Sequence, residues 1–466
     1  MNYSAIKKAV NITAEQAIEE IIASGLRDRD YDNRNTGKRL KEHGLTHDTG
    51  RRLPLFSEND VVKEGESSPK HLICHCVDQE PGVRINEFLV NTQASEILDG
   101  ALVAAYTTSS TNIFVHVAQD KNNERTMNEA VKEALEVINQ LNLKVNIEIV
   151  KGAPEKPLIG FYRYPTMILN GETAMQIASV INSGKEWYQQ IGHSKSPGTK
   201  LFDVRGSVKK PGIYEVPTNT TLRRVIDELG GGMEEGKDMM GVILGGIQGG
   251  FLTEEELDIT LDFDSAREAG ALIGMGSIQV LDQSQCIVHI AKESTISSMK
   301  LHCGRCSVGR EGSYQLKEML TDMTIGKSRP QDIDMIKEIS HAMRKNSLCS
   351  IGKTAPNLIL STIKNALGEY EAHMKRKVCK NLVCSKYVTY HILPNLCNGC
   401  GKCKDECPED AIAGRKRMVH VIDNDACEQC GICFEICQQE QNAVVKAGAK
   451  KPPTPRRPIP VGSWKK

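Results

Sequence analysis

Cysteine is the residue type whose spacing points to chemistry in this chain of 466 residues, which contains 16 cysteines. Eight of them form two runs near the C-terminal end. The first run has the pattern C-x2-C-x2-C-x3-C-P, and the second repeats it without the proline. Three closely spaced thiolates wrap three corners of an iron–sulfur cubane, and the fourth cysteine of each run reaches the other cluster. This rule assigns the first cluster to Cys397, Cys400, Cys403 and Cys437, and the second to Cys427, Cys430, Cys433 and Cys407.

Zinc is the alternative interpretation of these runs, because structural zinc sites also use C-x2-C pairs. Such sites use two pairs for each ion, however, and not two runs of four at this spacing. The sequence therefore predicts two [4Fe–4S] clusters on a bacterial-type ferredoxin module. Two such clusters can relay electrons one at a time, and the relay carries no substrate chemistry of its own.

Two further cysteine pairs lie outside the runs. Cys379 and Cys384 form a C-x4-C pair that could complete a structural zinc site with His373, His391 or a residue from a partner, and the alternative is two free thiols in a linker. The second pair, at positions 74 and 76, lies in a predicted strand. Side chains two residues apart on a strand share a face, yet we interpret this pair as plain buried residues.

The elements that position these cysteines begin with an α/β pattern. Apolar runs predict strands at residues 71–77, 112–118 and 144–150, and helical periodicity predicts helices at 95–107, 124–142 and 173–182. This alternation favours a parallel α/β layer. Glycine-rich turns then separate strands and a helix in a small β–α–β region, and the period becomes helical from about residue 290.

Specific motifs in these regions resemble one known family. They are Cys303-Gly-Arg-Cys306-Ser-Val-Gly309-Arg-Glu-Gly, the distant Cys349, and Lys210-Pro-Gly-Ile-Tyr-Glu-Val-Pro. On these residues the chain resembles the NADH-binding flavoprotein subunit of respiratory complex I and its relatives in NAD-linked hydrogenases and formate dehydrogenases. The resemblance covers nearly the whole chain, and the appended ferredoxin module is typical of the hydrogenase-linked branch.

The resemblance and the patterns together predict six segments. They are an α/β, Rossmann-like layer of the flavin and nucleotide type, a β-grasp domain, a helical bundle with iron–sulfur ligands, a linker with the C-x4-C pair, an α+β ferredoxin module and a disordered basic tail. Their expected bounds are residues 1–197, 198–285, 286–375, 376–392, 393–446 and 447–466.

The bundle carries an incomplete cluster motif. In the family, C-G-x-C-x-P-C-R-E-G and a distant cysteine hold one [4Fe–4S] cluster. Here Cys303, Cys306 and Cys349 match three of those ligands, and Gly309 stands where the third cysteine of the run belongs. Three thiolates leave one iron corner unfilled, so the alternatives are a [3Fe–4S] cluster, a cubane with a fourth ligand nearby (His302 or Ser307), or no cluster.

The family's flavin and nucleotide motifs are altered. Its FMN phosphate loop, G-L-R-G-R-G-G-A-G-F-P-T-G, has four glycines and the alanine replaced here by Asp28, Asp30, Tyr31, Asn33 and Asp32. Side chains would block the approach of backbone N–H groups to a phosphate, and aspartates would repel it. The flavin-side stretch at residues 74–82 is only partly kept, and the second glycine-rich segment expected after residue 153 is missing. We therefore expect neither FMN nor NADH to bind.

Charge and hydropathy exclude some classes of partner. Lys plus Arg and Asp plus Glu both number 59, which leaves no net field to attract nucleic acid or an anionic membrane. No window approaches the ~18 apolar residues of a membrane helix, so direct membrane insertion is not expected. The first ten residues contain no apolar core of a signal peptide, and we expect a cytoplasmic protein.

The expected function is an iron–sulfur electron-transfer subunit of a soluble, anaerobic redox complex. The resemblance implies a small [2Fe–2S] subunit and a larger cluster-bearing or catalytic subunit as partners. An active NADH:acceptor oxidoreductase flavoprotein subunit with a divergent FMN site is one alternative, and a non-catalytic scaffold subunit is another. The sequence displays no catalytic triad or acid–base pair, so independent catalysis is left open.

Overall fold

The chain forms two compact units in the computed structural model, which describes residues 3–31, 33–45, 69–152, 166–302, 304 and 306–464. The first unit comprises Met1–Asp282, Ser294–Tyr314 and Ser340–Ser361. The second comprises Gln283–Glu293, Gln315–Ile339 and Thr362–Lys466. Both runs of the predicted ferredoxin module belong to the second unit.

A four-stranded parallel sheet, in the order β3-β2-β1-β4, lies in the N-terminal part of the first unit. Every neighbouring pair runs parallel, which confirms the predicted α/β layer. The fourth strand was not predicted, because an apolar run of three residues is too short to separate a strand from a helix by periodicity. The strands are β1 (His71–Cys76), β2 (Asn112–Ala118), β3 (Asn146–Gly152) and β4 (Thr166–Asn170).

Helices accompany this sheet throughout its described part, and side-chain caps begin several of them. Asp120 accepts hydrogen bonds from the first backbone N–H groups of α5, and Asn170 does the same for α6. The predicted helix at 95–107 is the second half of α4, whose helical geometry is interrupted at Gln93. The helices are α1 (Ser4–Ala9), α2 (Ala14–Ser24), α3 (Thr36–Leu45), α4 (Ile85–Thr108), α5 (Lys121–Gln140), α6 (Gly171–Ser183) and α7 (Lys185–Gln189).

A five-stranded mixed sheet follows in the first unit, in the order β10-β9-β11-β7-β8. β7 pairs antiparallel with β8 and parallel with β11, so the region is a mixed β fold with short helices. Its strands are β7 (Thr199–Gly206), β8 (Gly212–Pro217), β9 (Met239–Leu244), β10 (Gly250–Leu252) and β11 (Ser277–Asp282), preceded by the hairpin β5 (Gly192–His193) and β6 (Ser196–Pro197). Its helices are α8 (Leu222–Arg224), continued by a π-helical turn at Val225–Leu229, and α9 (Phe263–Glu268), with 3-10 turns at Gly246–Gln248 and Glu254–Glu256.

The chain is then helical with short breaks, as the sequence predicts. The helices are α10 (Ile287–Leu301), α11 (Ser307–Thr324), α12 (Asp332–Asn346), α13 (Ser350–Thr354), α14 (Asn357–Asn365) and α15 (Leu367–Glu371), the last continued by a π-helical turn at Ala372–Arg376.

Short strands and two helices form the C-terminal part of the second unit, as far as the structure describes it. β12 pairs antiparallel with β16, and β13 pairs antiparallel with β15. The elements, after a 3-10 turn at Ser385–Tyr387, are β12 (Thr389–Ile392), α16 (Lys402–Asp405), β13 (Ile412–Ala413), β14 (Met418–Val419), β15 (Val421–Ile422), α17 (Ile432–Glu440), β16 (Val444–Ala447) and β17 (Ile459–Pro460).

The basic C-terminal segment differs from the disordered tail that its composition predicts. Its strand β17 pairs antiparallel with β14, and the backbone N–H of Val461 donates to the carbonyl of Arg417 at 3.1 Å. A composition rich in proline and basic residues indicates disorder, but proline is compatible with an edge strand. Composition alone therefore does not predict this pairing. None of the helices in the described ranges is both long and apolar enough to span a bilayer.

A fully buried ion pair connects the five-stranded sheet of the first unit to helix α6. Lys200, the second residue of β7, donates from its ammonium group to the carboxylate of Glu172 in the first turn of α6. The other carboxylate oxygen accepts the backbone N–H of Leu201 at 2.8 Å, and the ammonium also lies 3.2 Å from the carbonyl of Met275. Such a pair is sensitive to the loss of one partner, because a buried charge then has no counter-charge.

We predict that Lys200→Met lowers the free energy of unfolding by about 3–5 kcal/mol, because Glu172 would be left buried and unpaired. The exposed pair of Arg224 and Glu228 is the control, and Arg224→Met should change the value by no more than about 0.5 kcal/mol. Urea denaturation followed by circular dichroism measures both. Equal effects of the two substitutions would contradict a structural role for the buried pair.

Candidate functional site

Four cysteines of the ferredoxin runs surround one cavity in the second unit. Cys397, Cys400, Cys403 and Cys437 line it together with apolar side chains that include Ile392 and Ile436. Burial, with the thiols of the other three close by, raises the pKa of Cys403 to about 12. The fourth cysteine of the second run thus lies with the first three of the first run, in the grouping that the interleaved ligand assignment predicts.

The remaining four cysteines lie close to one another as well. Burial raises the pKa of Cys433 to about 12, with Cys403, Cys427, Cys430 and Cys407 as the neighbouring thiols that add to the shift. The presence of Cys403 among these neighbours means that the two quartets are adjacent. A donor set of four thiols fits a cubane cluster, whose iron atoms prefer thiolate ligands.

The backbone supports both quartets in the same way. Gly401 and Gly431 have positive φ values of 92° and 86° and directly precede α16 and α17, whose second residues are Cys403 and Cys433. Backbone N–H groups also point at sulfur atoms, since the N–H of Ala443 lies 3.2 Å from Sγ of Cys437. Donors aimed at sulfur favour thiolate over thiol and tune the redox potential of a bound cluster.

A second group of possible ligands, also within the second unit, consists of Cys286, His373, Cys379 and Cys384. All four side chains are buried, and their ligand atoms lie within 4.8 Å of one another. Nε2 of His373 is 3.5 Å from the sulfurs of both Cys286 and Cys384. Three sulfurs and one imidazole nitrogen are a common donor set for tetrahedral zinc.

The surroundings of His373 fix the orientation that a metal ligand needs. Its Nδ1 donates to the carbonyl oxygen of Glu369 at 2.8 Å, which leaves Nε2 directed at the sulfurs. Burial alone would lower the pKa of His373, but hydrogen bonds with Cys286 and Cys379 raise it to about 10. The same contacts lower the pKa of Cys379 and raise that of Cys384. The ionisation of these four groups is therefore strongly coupled.

Sequence reasoning named Cys379, Cys384 and His373 for this site but missed Cys286. That cysteine lies 87 residues before His373, directly ahead of α10, and no spacing motif connects the two. A single cysteine at the start of the region with helical period was the signal present in the sequence. His391, the other candidate, is not in the group, since its Nε2 is 2.8 Å from the hydroxyl of Thr389.

The incomplete cluster motif lies in the first unit. Cys306 directly precedes α11 and Cys349 is the N-cap of α13, and both are buried. Helix N-termini favour thiolates because of their partial positive charge. Of the two candidate fourth ligands, Ser307 is exposed, whereas Nε2 of His302 is buried. Cys303, the third predicted cysteine ligand, lies outside the described residues.

In the loop that stands where the family has its FMN phosphate loop, several backbone N–H groups already donate to acceptors within the protein. Backbone N–H groups that could face a phosphate donate within the protein instead: Asp28 to the carbonyl of Arg34 at 2.8 Å, Arg29 to Oγ1 of Thr173 at 2.8 Å and Asn33 to Oδ1 of Asp30 at 3.1 Å. These described N–H groups are therefore occupied. Asp32 lies outside the described residues.

Asp28 does not repel anions in the way that the sequence argument assumes. Its side chain is fully buried, accepts a hydrogen bond from Thr36 at 2.8 Å and forms an ion pair with Arg39. The charge of Asp28 is therefore compensated within the protein. The expected repulsion between this aspartate and a phosphate is therefore not supported by the structure.

The partly kept flavin-side stretch has structural roles in this chain. Asp78 accepts the backbone N–H groups of Asn86 and Glu87 at 2.9 and 3.0 Å, which stabilises the start of α4. Glu80 is buried against Gly246, and burial raises the pKa of its carboxyl group to about 8. Cys74 and Cys76 are buried with their sulfurs 3.8 Å apart, on one face of β1 as predicted. The family's second glycine-rich segment is missing after residue 153, and residues 153–165 lie outside the described residues.

Four family models match successive parts of the chain. They are the Nuo51 FMN-binding domain at residues 41–158, the SLBB domain at 201–243, the NADH-ubiquinone oxidoreductase-F iron-sulfur binding region at 290–373 and the 4Fe-4S binding domain at 390–413. The first of these matches does not support the expectation that FMN binding is lost.

Curated relatives agree with the models. The NADP-reducing hydrogenase subunit HndC of Solidesulfovibrio fructosivorans is 38% identical over 56% of this chain and 53% of its own length. The chain thus matches about half of that relative's length. The F subunit of the NADH-quinone oxidoreductase of Streptomyces coelicolor is 28% identical over 73% of this chain and 83% of its own length.

The fold is similar to that of a solved structure. An NAD+-reducing [NiFe]-hydrogenase in the H2-reduced state superposes with a TM-score of 0.66 at 20% identity, over 80% of this chain and 65% of that one. Fold and cysteine-rich regions thus define an iron–sulfur protein of the NADH-dehydrogenase type. Successive parts of the chain are thus similar to the F subunit of NADH-quinone oxidoreductases and to a subunit of an NADP-reducing hydrogenase.

We predict that the purified chain binds one zinc ion through the Cys286 group, and that Cys286→Ser weakens zinc binding at least about tenfold, because one of four ligands is lost. Zinc determination by mass spectrometry after dialysis measures this. Cys74→Ser, which removes a buried thiol elsewhere, should leave zinc at one per chain. Equal zinc contents in the two variants would contradict the assignment.

A second prediction concerns the buried carboxyl group of Glu80, whose pKa of about 8 is far above its ordinary value of 4.5. Between these values the unfolded chain releases this proton and the folded chain keeps it, so this group lowers stability as pH rises. Glu80→Gln should therefore raise the urea midpoint more at pH 8 than at pH 5. The exposed Glu87→Gln should show no such difference. A larger gain at pH 5 would show that Glu80 is ionised in the fold.

Proposed function

We propose that the chain is an iron–sulfur electron-transfer subunit of a multi-subunit redox complex, without FMN or NADH chemistry of its own. The observation that carries the proposal is the proximity of eight cysteines in two adjacent, interleaved quartets in the second unit. Their donor chemistry fits two [4Fe–4S] clusters, which would supply one-electron transfer when bound.

The protein's own residues prepare this module for electron transfer. Ile392 and Ile436 line the first cavity and give it an apolar wall beside the sulfur atoms. Cys400 and Cys430 are exposed, so each quartet reaches the surface at one ligand. A partner that docks there would approach a cluster directly, and short separation is what favours electron transfer over reaction with bulk substrate.

Loss of flavin chemistry is supported by the closed loop at residues 26–36. Phosphate binding at such a loop requires free backbone N–H groups. The N–H groups of Asp28, Arg29 and Asn33 already donate within the protein, and that of Thr36 donates to the carbonyl of Leu26 at 3.0 Å. Opening the loop for a phosphate would cost these hydrogen bonds and the buried contacts of Asp28.

The alternative is an active NADH:acceptor oxidoreductase subunit with a divergent FMN site. The match of residues 41–158 to the FMN-binding domain favours it. Under this alternative the flavin phosphate would be held by groups other than the loop at residues 26–36. A bound flavin in the purified protein separates the two functions, and a scaffold role would be indicated by clusters that cannot be reduced.

The partners and location follow as further parts of the proposal. The hydrogenase and quinone-oxidoreductase relatives are named as subunits, which supports assembly with other redox subunits. We propose that these are a small [2Fe–2S] subunit and a larger cluster-bearing or catalytic subunit, in an anaerobic complex of the cytoplasm.

The test is anaerobic purification of the full chain, with iron, acid-labile sulfide and flavin measured on one sample. We expect at least eight iron and eight sulfide per chain, reversible reduction by dithionite, and flavin below one tenth per chain. Stoichiometric flavin reduced by NADH would contradict the absence of flavin chemistry. A preparation without sulfide would contradict electron transfer.

Single substitutions test the interleaving of the quartets. Cys407→Ser should perturb the same cluster as Cys433→Ser, and Cys437→Ser the same cluster as Cys403→Ser, because the thiols of each pair are neighbours. Electron paramagnetic resonance of the variants at partial reduction, where only one cluster of the pair is paramagnetic, separates the two clusters. Cys74→Ser is the control and should leave both signals unchanged. If Cys407→Ser and Cys403→Ser altered one common signal, the interleaved assignment would be wrong.

A further inference from the structure

The iron–sulfur region of the first unit contains polar atoms whose partners are missing. Nε2 of His302 and Oγ of Ser347 are buried, and neither has a hydrogen-bond partner among the described residues. Buried polar groups are rarely left in this way unless an ion, a cofactor or water completes them. Both atoms lie beside Gly352, at 3.6 and 2.8 Å from the point that a Cβ there would occupy.

The same region contains the sulfur atoms of Cys349 and Cys306. The backbone N–H of Gly352 lies 3.5 Å from Sγ of Cys349. A Cβ on Gly309 would lie 2.9 Å from Sγ of Cys306 and would collide with the same Nε2 of His302. The imidazole of His302 therefore fills the space next to Cys306 into which a side chain at position 309 would project.

Position 309 is where the resemblance places a cysteine ligand, and the chain has glycine there. A cysteine at 309 and the present position of His302 exclude each other, because the Cβ alone would overlap the ring. The imidazole ring of His302 thus occupies the space in which the side chain of a cysteine at position 309 would lie. Two roles are open to His302 at this position: it binds iron instead of the cysteine, or it donates a hydrogen bond to the cluster.

The second ring nitrogen decides between these roles. The backbone N–H of Gly304 donates to Nδ1 of His302 at 2.9 Å, so Nδ1 acts as an acceptor. In a neutral imidazole the proton then resides on Nε2, which makes Nε2 a donor rather than a lone-pair ligand. A histidine that binds a metal through Nε2 normally donates from Nδ1 instead, as His373 does at the other site.

We propose that His302 is a positioning residue that donates an N–H···S hydrogen bond to an iron–sulfur cluster held by Cys306, Cys349 and the third cysteine of the motif, and that the iron corner facing position 309 has no protein ligand. Ser347 supplies a second donor from the side of Cys349. The match of residues 290–373 to an iron–sulfur binding region supports a cluster at this place. The inference does not depend on the ferredoxin module, whose cysteines are in the other unit.

Electron paramagnetic resonance of the oxidised full chain, purified anaerobically, tests the open corner. A three-iron cluster is paramagnetic when oxidised, whereas oxidised four-iron clusters of the ferredoxin type are silent, so the two sites do not interfere. We expect a three-iron signal of about one spin per chain, or its appearance on mild oxidation as a labile iron leaves. Absence of any such signal under both conditions would overturn the proposal.

Labelling of histidine with ¹⁵N then tests the role of the ring. A hydrogen-bonded nitrogen should give only weak hyperfine coupling to the cluster, and strong coupling typical of a direct iron–nitrogen bond would contradict the proposal. His302→Ala should keep the cluster and lower its reduction potential, since hydrogen bonds to sulfur raise it. Loss of the whole cluster in His302→Ala would indicate a ligand.

A paired substitution provides the sharpest control. The double variant His302→Ser with Gly309→Cys removes the ring and adds a fourth thiolate, so it should gain one iron and lose the oxidised signal. Gly309→Cys alone should not complete the cluster, because the ring still occupies the space. If the single variant completed it as well as the double variant, His302 would not fill the ligand position. Unchanged ferredoxin signals in all variants would confirm that the second unit is unaffected.

Discussion

The interaction on which this structure depends most is the close approach of the cysteine sulfur atoms of the two runs. Eight cysteines that ionise side by side need a cation to take up their negative charge, and the raised pKa values of Cys403 and Cys433 express that need. The chain brings the last cysteine of each run to the other run, with glycines that allow the backbone to turn tightly before α16 and α17. Short strands and the C-terminal segment then enclose the module.

The N-terminal part shows how a nucleotide-type fold can persist when its loop chemistry changes. The parallel sheet, the capped helices and the buried Lys200–Glu172 pair preserve the scaffold. The carboxylate of Glu172 lies at the start of α6 and is paired with the ammonium group of Lys200. In the loop at residues 26–36, described backbone N–H groups donate to acceptors within the protein. The scaffold is thus kept while described N–H groups of this loop donate within the protein, and the model that matches residues 41–158 is an FMN-binding domain.

Sequence reasoning succeeded where spacing along the chain encodes geometry. The C-x2-C-x2-C-x3-C runs predict a grouping of cysteines that also lie together in the fold, and apolar runs predict three of the four parallel strands. It could not find Cys286, because the contact with His373 spans 87 residues and is made by tertiary packing. It misjudged Asp28, whose charge is cancelled by Arg39 eleven residues later. It also left the role of His302 open, since only the fold shows that the ring lies in the space beside Gly309.

The most direct test of the account is the magnetic resonance spectrum of the fully reduced chain. Two clusters held by adjacent, interleaved quartets should show spin–spin interaction, with a broadened composite signal that integrates to about two spins per chain in the second unit and no flavin radical at any stage of reduction. Two independent, unbroadened signals, or a single cluster accompanied by a flavin radical, would contradict the account.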